Sequence, residues 1–213
     1  MSIILEKFHP VVQVWFTKAF GEPSPPQKLG WPPIAEGSNT LIVAPTGSGK
    51  TLAAFLWCIN HLVEENIKIG NVIASSNKVG TKQSPQSKRR SLRPDKTGAR
   101  NDNPFGGIRV LYISPLKALN NDIYRNLEIP LQGILNEAKV QNIQMTPIRS
   151  AVRTGDTTQT ERNRMLKNPP DILITTPESL YLMLSSEKAR KMFHSVRYVI
   201  VDEIHAISNC KPY

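Results

Sequence analysis

The sequence has few cysteines, few acidic residues and no long apolar run. Its two cysteines, Cys58 and Cys210, are too few for a disulfide framework or a thiolate metal cage, which predicts a reducing, cytoplasmic setting. No apolar run is long enough to cross a membrane, and the N-terminus lacks the order of a secretory signal. A chain of 213 residues with 39% hydrophobic content therefore predicts one large domain with a sizeable core.

The shortage of acidic residues leaves a net charge of +10, and most of that charge lies in one segment. Between Lys78 and Arg100 there are eight basic residues and one acid, which supply +7. Residues 75–107 also have almost no large apolar side chains, which predicts a disordered basic insertion. This insertion is interpreted either as an arm that gathers nucleic acid or as a solvated loop. The absence of interleaved aromatic residues favours the solvated loop.

A Gly-rich turn follows the apolar residues 41–43 and ends in Lys-Thr at the start of a helical pattern. This layout is typical of a phosphate-binding loop, because backbone N–H groups and the helix N-terminus would face a phosphate chain. Gly47 and Gly49 would permit the backbone angles that the loop needs. Lys50 would reach the β- and γ-phosphates of ATP, and the Thr51 hydroxyl would bind Mg²⁺. The predicted phosphate loop comprises Thr46, Gly47, Ser48, Gly49, Lys50 and Thr51.

ATP hydrolysis also needs a carboxylate for the metal and a group that orients water. Asp202 and Glu203 directly follow the apolar residues 196–201, which read as a strand. Asp202 would hold Mg²⁺ directly or through water. Glu203 would act as the general base or position the attacking water. Together with Lys50, these two acids are the predicted catalytic residues, with ATP and Mg²⁺ as cofactors.

Predicted strands and helices alternate along the chain. Strands are predicted at residues 40–44, 109–113, 148–152, 172–174 and 196–201. The helix after the phosphate loop is predicted to end at Asn66. A later helix is predicted to break at Pro130, with a short helix after it. Residues 27–34 are predicted to form part of a Pro-rich connection. The alternation predicts an α/β fold with a mostly parallel sheet and helices on both faces. In such sheets ligands bind beyond the carboxyl ends of the strands.

Several blocks in one order resemble the first RecA-like lobe of superfamily 2 helicases of the DEAD/DEAH type, and among these the Lhr (large helicase-related) family. The use of Ala44, where the strict phosphate-loop pattern has Gly, agrees with this superfamily. The resemblance covers most of residues 8–206, with 75–107 outside it. It rests on Trp15-Phe16, Gln27, Gly30-Trp31-Pro32, and residues 44–51, 52–56, 114–119, 121–122, 153–157, 175–180 and 201–205.

The resemblance implies further site residues. Gln27 would read the adenine edge, as an amide can by donating and accepting at once. Phe8 would either stack on the adenine or lie in the core. His205 would couple the nucleotide site to a second lobe. The implied contacts to the backbone of a DNA or RNA strand, made without reading sequence, come from Pro115, Leu116, Lys117, Arg153, Thr154, Gly155, Thr176, Pro177 and Glu178.

The resemblance also implies a domain organisation. Residues 1–39 form a helical segment for adenine recognition, and residues 40–213 form a first RecA-like lobe that is incomplete at its C-terminus. The family pattern continues toward a second RecA-like lobe, whereas this sequence stops at Tyr213, so it is interpreted as a fragment or a truncated reading frame.

Two functions remain open at this point. The first is the ATP-binding lobe of an ATP-dependent helicase, with little activity alone. The alternative is a nucleic-acid-binding or regulatory module without useful catalysis. A P-loop kinase or transport ATPase is disfavoured by Gln27 and by residues 202–205.

Overall fold

A computed structural model describes residues 4–45, 47–78, 106–115, 117–204 and 206 of the chain. Its four strands form one sheet in the order β2-β3-β1-β4, and every neighbouring pair is parallel. The predicted parallel sheet is confirmed. The strands are β1 (Val110–Ile113), β2 (Ser150–Arg153), β3 (Ile172–Thr175) and β4 (Tyr198–Val201). The helices of the described residues are α1 (Pro10–Phe20), α2 (Pro25–Ala35), α3 (Lys50–Lys78), α4 (Lys117–Val140), α5 (Gln159–Lys167), α6 (Pro177–Ser185) and α7 (Glu187–Arg190), with 3₁₀ turns at Leu5–Lys7 and Lys191–Phe193.

Helices cover both faces of the sheet, as predicted. Alternate residues of a strand point to opposite faces, and in β1 Val110 and Tyr112 join one buried cluster whereas Leu111 joins the other. The first cluster contains residues of α1, α2, α3 and α4. The second is formed with residues of α5, α6 and α7. The two central strands, β3 and β1, are therefore apolar on both faces of the sheet, which explains the continuous apolar runs in the sequence.

The prediction of a Pro-rich connection over residues 27–34 is wrong, because these residues lie in α2. Pro25 occupies the first helical position, where its missing N–H leaves no bond unmade. Trp31 is fully buried, and its indole N–H donates to the carbonyl oxygen of Ala53 at 3.0 Å. This tertiary contact holds the helix despite two further prolines, Pro32 and Pro33, in its last turn.

The prediction that the next helix ends at Asn66 is also wrong, because α3 continues to Lys78. Asn66 is 2% exposed and serves as a tertiary contact. Its Nδ2 donates to the carbonyl oxygen of Thr146 at 3.0 Å, and its Oδ1 accepts from Arg109 at 3.0 Å. Arg109 is itself buried and pairs with Asp171 at 2.7 Å. The side chain that suggested a helix end therefore ties α3 to the start of β1.

Pro130 does not break α4, contrary to the prediction. Proline in a helix interior costs about 3 kcal/mol. Three neighbouring side chains of α4, those of Leu127, Leu131 and Ile134, are at most 5% exposed, and each contributes about 1.5–3 kcal/mol by burial. Packing against the core therefore exceeds the cost of the proline, and the helix continues.

The prediction of a strand at residues 40–44 is wrong for this structure. The segment has no regular structure, and Leu41 and Val43 are 73% and 85% exposed. A β-prone run becomes a strand only when a neighbour supplies backbone hydrogen bonds. The four strands of the described residues form a sheet that does not include this segment.

Parts of the predicted insertion and site lie outside the described residues. Residues 75–78 continue α3, whereas 79–105 are not described. Thr46, Leu116 and His205 also lie outside the described residues. Within the described residues, no helix has the length and apolar character that crossing a membrane requires.

Candidate nucleotide-binding site

The carboxyl ends of the four strands meet along one edge of the sheet. The backbone N–H of Ser114, after β1, donates to the carbonyl oxygen of Thr175 at the end of β3 (3.0 Å). The Thr175 hydroxyl donates to the carbonyl oxygen of Arg153 at the end of β2 (2.7 Å). On the other side of β1, the N–H of Asp202 donates to the carbonyl oxygen of Ile113 (2.9 Å). The polar residues that follow the strands therefore form one continuous row, as the parallel fold predicts.

The Gly-rich turn leads directly into α3, which begins at Lys50. Gly47 and Gly49 have φ angles of 79° and 90°, in the left-handed region that favours glycine. The carbonyl oxygen of Gly49 accepts the N–H of Ala53 at 2.9 Å, which closes the first turn of the helix. The turn thus has the backbone conformation that the glycine spacing predicts.

Lys50 and Thr51 occupy the first two positions of α3. The Lys50 ammonium donates to the carbonyl oxygen of Ala44, before the turn, and the Thr51 side chain is half-buried. The ammonium therefore lies over its own loop, next to the helix N-terminus and its unsatisfied N–H groups. Ser48, within the turn, has a buried hydroxyl oxygen without a hydrogen-bond partner among the described residues.

Gln27 lies against the same turn, although it is on a different helix. Its Oε1 accepts the backbone N–H of Ser24 at 2.8 Å, and its side chain is 4% exposed. A Cβ atom added to Gly49 would lie 3.0 Å from the Gln27 Nε2 and 3.1 Å from the Ser24 hydroxyl. Ser24 is a contact that the motif reasoning missed. The sequence signal for this contact is the Ser-x-x-Gln spacing of a capping box, in which the glutamine side chain accepts the backbone N–H of the serine at the helix start.

Asp202 and Glu203 follow β4 at the same edge. The Asp202 Oδ1 accepts the backbone N–H of Glu203 at 2.9 Å, and its Oδ2 accepts the hydroxyl of Tyr112. Glu203 has a φ angle of 52°, which turns the chain sharply after the strand. Both of the Asp202 carboxylate oxygens are therefore held in place.

Tyr112 joins the two halves of the site, and sequence reasoning treated it only as a strand residue. Its ring stacks on Phe55 of α3, with centroids 4.9 Å apart and an interplanar angle of 17°. Burial, with the hydrogen bond to Asp202, raises the pKa of Tyr112, so its hydroxyl donates as a neutral group. The available signal was a tyrosine in an aliphatic strand, because a buried hydroxyl needs a partner.

The residues present fit a magnesium ion that enters with a nucleotide. Mg²⁺ is usually held by one or two carboxylates, water and substrate phosphates. Asp202 offers a carboxylate at the strand end, and Thr51 offers a hydroxyl at the helix start. In the described part of the chain, no three His, Cys, Asp or Glu side chains gather as a metal cage. The donor set therefore needs phosphate oxygens to complete it.

The residues after β3 that are predicted to contact a nucleic-acid strand differ in their solvent exposure. Thr176 is 1% exposed and caps α6, where its hydroxyl oxygen accepts the N–H of Ser179 at 3.3 Å. Pro177 is the first residue of α6, and Glu178 is exposed. Among these three residues Glu178 is therefore the most exposed, and its carboxylate would repel a phosphate.

The remaining predicted contacts lie after β1 and β2. Pro115 is half-buried at a bend, and Lys117 is the first residue of α4, with its side chain outside the described residues. Arg153 ends β2, and Thr154 and Gly155 form the turn that follows, with Thr154 buried and Gly155 exposed. All of these lie at the carboxyl edge of the sheet.

Phe8 lies in the core. It is 3% exposed and makes edge contacts with Trp31 and Trp57, at centroid distances of 4.8 Å and 5.2 Å. The structure therefore agrees with the interpretation of Phe8 as a core residue rather than as an adenine-stacking residue.

Comparison with protein families agrees with this geometry. A model described as DEAD/DEAH box helicase matches residues 24–211, which is most of the chain. The chain therefore belongs to the DEAD/DEAH box helicase family.

Among curated proteins, the chain is similar to Lhr helicases. It is 44% identical to "Lhr helicase/ probable uracil glycosylase" of Mycolicibacterium smegmatis, over 97% of this chain and 11% of that protein. It is also 44% identical to "ATP-dependent helicase Lhr-Core" of Methanocaldococcus jannaschii, over 97% of this chain and 20% of that protein. The chain thus spans a fifth or less of the length of these relatives.

Two solved structures share the fold. The Mycobacterium smegmatis helicase Lhr bound to ssDNA and AMP-PNP matches with a TM-score of 0.74 and 44% identity, over 96% of this chain and 21% of that chain. The DEAD-box helicase Mss116, bound to ssRNA and UDP-BeF, matches with a TM-score of 0.64 and 18% identity, over 95% of this chain and 32% of that chain. The sheet of this chain is therefore that of a RecA-like helicase lobe.

Proposed function

We propose that this chain is the ATP-binding lobe of an ATP-dependent helicase or translocase that moves along a DNA or RNA strand. The observation that carries the proposal is the connection from the phosphate loop to Asp202. The helix that begins with Lys50 stacks Phe55 on Tyr112, and the Tyr112 hydroxyl donates to Asp202. This connection supports the proposal that the residues for the phosphates and for the metal belong to one site.

Each residue of the site has a role in this proposal. Lys50 exchanges the Ala44 carbonyl for the β- and γ-phosphates, and Gln27 recognises the adenine beside the turn. Thr51 and Asp202 would hold Mg²⁺, which would neutralise charge on the transferred phosphoryl group. Glu203 orients and deprotonates the attacking water. Thr46, Gly47, Ser48 and Gly49 supply backbone N–H groups.

A nucleic-acid strand would lie along the same edge, over the ends of β1, β3 and β2. Support comes from the turns there, which place Pro115, Arg153, Gly155 and Pro177 at one edge of the sheet. The solved Lhr helicase that this chain resembles is described as bound to ssDNA. His205 would couple ATP to a second RecA-like lobe, as the family resemblance implies.

The proposal is tested by nucleotide binding to the 213-residue chain. The protein is titrated with a fluorescent ATP analogue in the presence of Mg²⁺. The affinity should fall by roughly 10- to 150-fold in Lys50→Ala, which corresponds to the free energy of one hydrogen bond to a charged group. The matched control is Lys188→Ala, which removes an exposed lysine far from the loop in the chain. Equal affinity in the two variants would contradict the assignment of the phosphate site.

The alternative is a nucleic-acid-binding or regulatory module without useful catalysis. Turnover measured with and without single-stranded DNA or RNA separates the two. Hydrolysis by this chain that a strand stimulates, and that Glu203→Gln abolishes without loss of ATP binding, would exclude the alternative.

A further inference from the structure

Two arginines come together around the turn after β2. Arg153 is the last residue of that strand, and Arg162 lies in α5, whose N-terminus is fixed by the Thr158 cap. The Arg162 Nη2 donates to the carbonyl oxygen of Gly155 at 2.9 Å. This bond holds the Arg162 guanidinium against the turn that follows Arg153.

Both guanidinium groups have hydrogen-bonding capacity to spare. Within the described residues, the Arg153 Nη1 and the Arg162 Nε are buried and have no hydrogen-bond partner. One carboxylate oxygen of Glu161, Oε2, accepts from the N–H and from the hydroxyl of Thr158, at 3.0 Å and 2.8 Å. Burial, followed by the positive charge of Arg162, lowers the pKa of Arg153. Two positive groups with unmade N–H bonds are an environment that an anion would stabilise.

The position of the pair decides between two sources of phosphate. β2 and β4 are at opposite sides of the sheet, with β3 and β1 between them. Three strand spacings of about 4.8 Å place the end of β2 about 14 Å from the end of β4, where Asp202 lies. A nucleotide bound between the phosphate loop and Asp202 does not extend its phosphates that far. A phosphate of a strand lying along the edge would reach the pair.

We propose that Arg153 and Arg162 together bind one backbone phosphate of the nucleic-acid strand. This inference rests on the proposed function, and it adds Arg162, which lies outside every motif of the family resemblance. In this arrangement the Arg162 Nε and the Arg153 Nη1, which are buried in this structure, would turn to donate to the phosphate while the Arg162 Nη2 remains on Gly155.

Binding of a labelled single-stranded oligonucleotide, measured by fluorescence anisotropy across about 50–200 mM salt, tests the proposal. Arg162→Ala should weaken binding by roughly 3- to 10-fold and reduce the slope of log affinity against log salt by about 0.7, the loss of one phosphate contact on a single strand. Arg164→Ala is the matched control, because Arg164 is exposed on the same helix and carries the same charge. It should change the affinity by less than about twofold.

Arg162→Gln separates charge from loop support, since its amide keeps a donor for Gly155 but carries no charge. It should lose the same salt slope as the alanine variant, with unchanged Mg·ATP binding. If wild type binds the strand and the Arg162 variants match Arg164→Ala in affinity and slope, the inference is wrong and the proposed function stands. If wild type binds no strand, the nucleic-acid part of the proposed function fails and the inference fails with it.

Discussion

Tyr112 shows how one side chain connects distant parts of the candidate site. Its ring packs on the helix of the phosphate loop, while its hydroxyl holds one oxygen of Asp202. In Tyr112→Phe the ring contact remains and the hydrogen bond is lost, so the carboxylate gains freedom to rotate. We expect the Mg²⁺ concentration required for ATP binding to rise severalfold, with a stability loss of about 1–2 kcal/mol.

The measurement is ATP-analogue affinity as a function of Mg²⁺, together with urea unfolding. Tyr181→Phe removes a hydroxyl from a tyrosine that is 71% exposed, and serves as the control. A loss of stability in Tyr112→Phe with no change in the Mg²⁺ dependence would mean that the tyrosine supports only the fold.

At the residue scale, the sequence predicted what is local and missed what is distant. Lys50 and Thr51 follow their glycines directly, and Asp202 follows its strand, so spacing alone was enough to predict them as site residues. Tyr112 and Asp202 are 90 positions apart in the chain, and no local pattern joins them. The pairing of Arg153 with Arg162 likewise depends on how the intervening turn folds.

Gly133 explains how one element packs on another. It lies in α4, where alanine would be the better helix former by about 1 kcal/mol. A Cβ atom at this position would lie 2.1 Å from the indole nitrogen of Trp15 in α1, which is too close for any non-bonded contact. Gly133→Ala should therefore destabilise the chain by about 1–3 kcal/mol, because the two helices must move apart.

Urea unfolding of Gly133→Ala and Gln132→Ala tests this packing. Gln132 is the exposed neighbour on α4, so its replacement should stay within about 0.5 kcal/mol of wild type. Should Gly133→Ala be as stable as Gln132→Ala, the close approach of α1 and α4 would not be as the structure has it.

At the element scale, the buried strands were predictable and several helix limits were not. Residues 110–113 and 172–175 are apolar and buried on both sides, so composition identified them. Thr158 and Pro177 stand at helix starts, where the preference for such residues is a local property. The errors at Asn66 and Pro130 share a cause, since tertiary contacts or burial outweigh a residue that usually ends a helix.

For the whole molecule, the class of fold was predictable but the arrangement of the sheet was not. Alternating strands and helices indicated a parallel sheet, yet the order β2-β3-β1-β4 depends on contacts between segments far apart in sequence. That order leaves β4 at one side of the described sheet, and residues 41–43 apart from it. The same order places the residues predicted to contact a nucleic-acid strand and those predicted to bind the nucleotide along one edge of the sheet. Both proposed ligands would therefore bind to one surface.

The exposed side of β4 has a consequence for the isolated chain. Val199 and Val201 are 56% and 42% exposed, and an edge strand with apolar side chains is a template for pairing with another chain. We therefore expect the 213-residue chain to self-associate reversibly as its concentration rises. Val199→Lys should shift the sedimentation-velocity distribution toward monomer, because charge on an edge strand opposes pairing. Tyr181→Lys places the same charge on an exposed helical position; if it dissociates the oligomer equally well, net charge rather than the β4 edge controls the association.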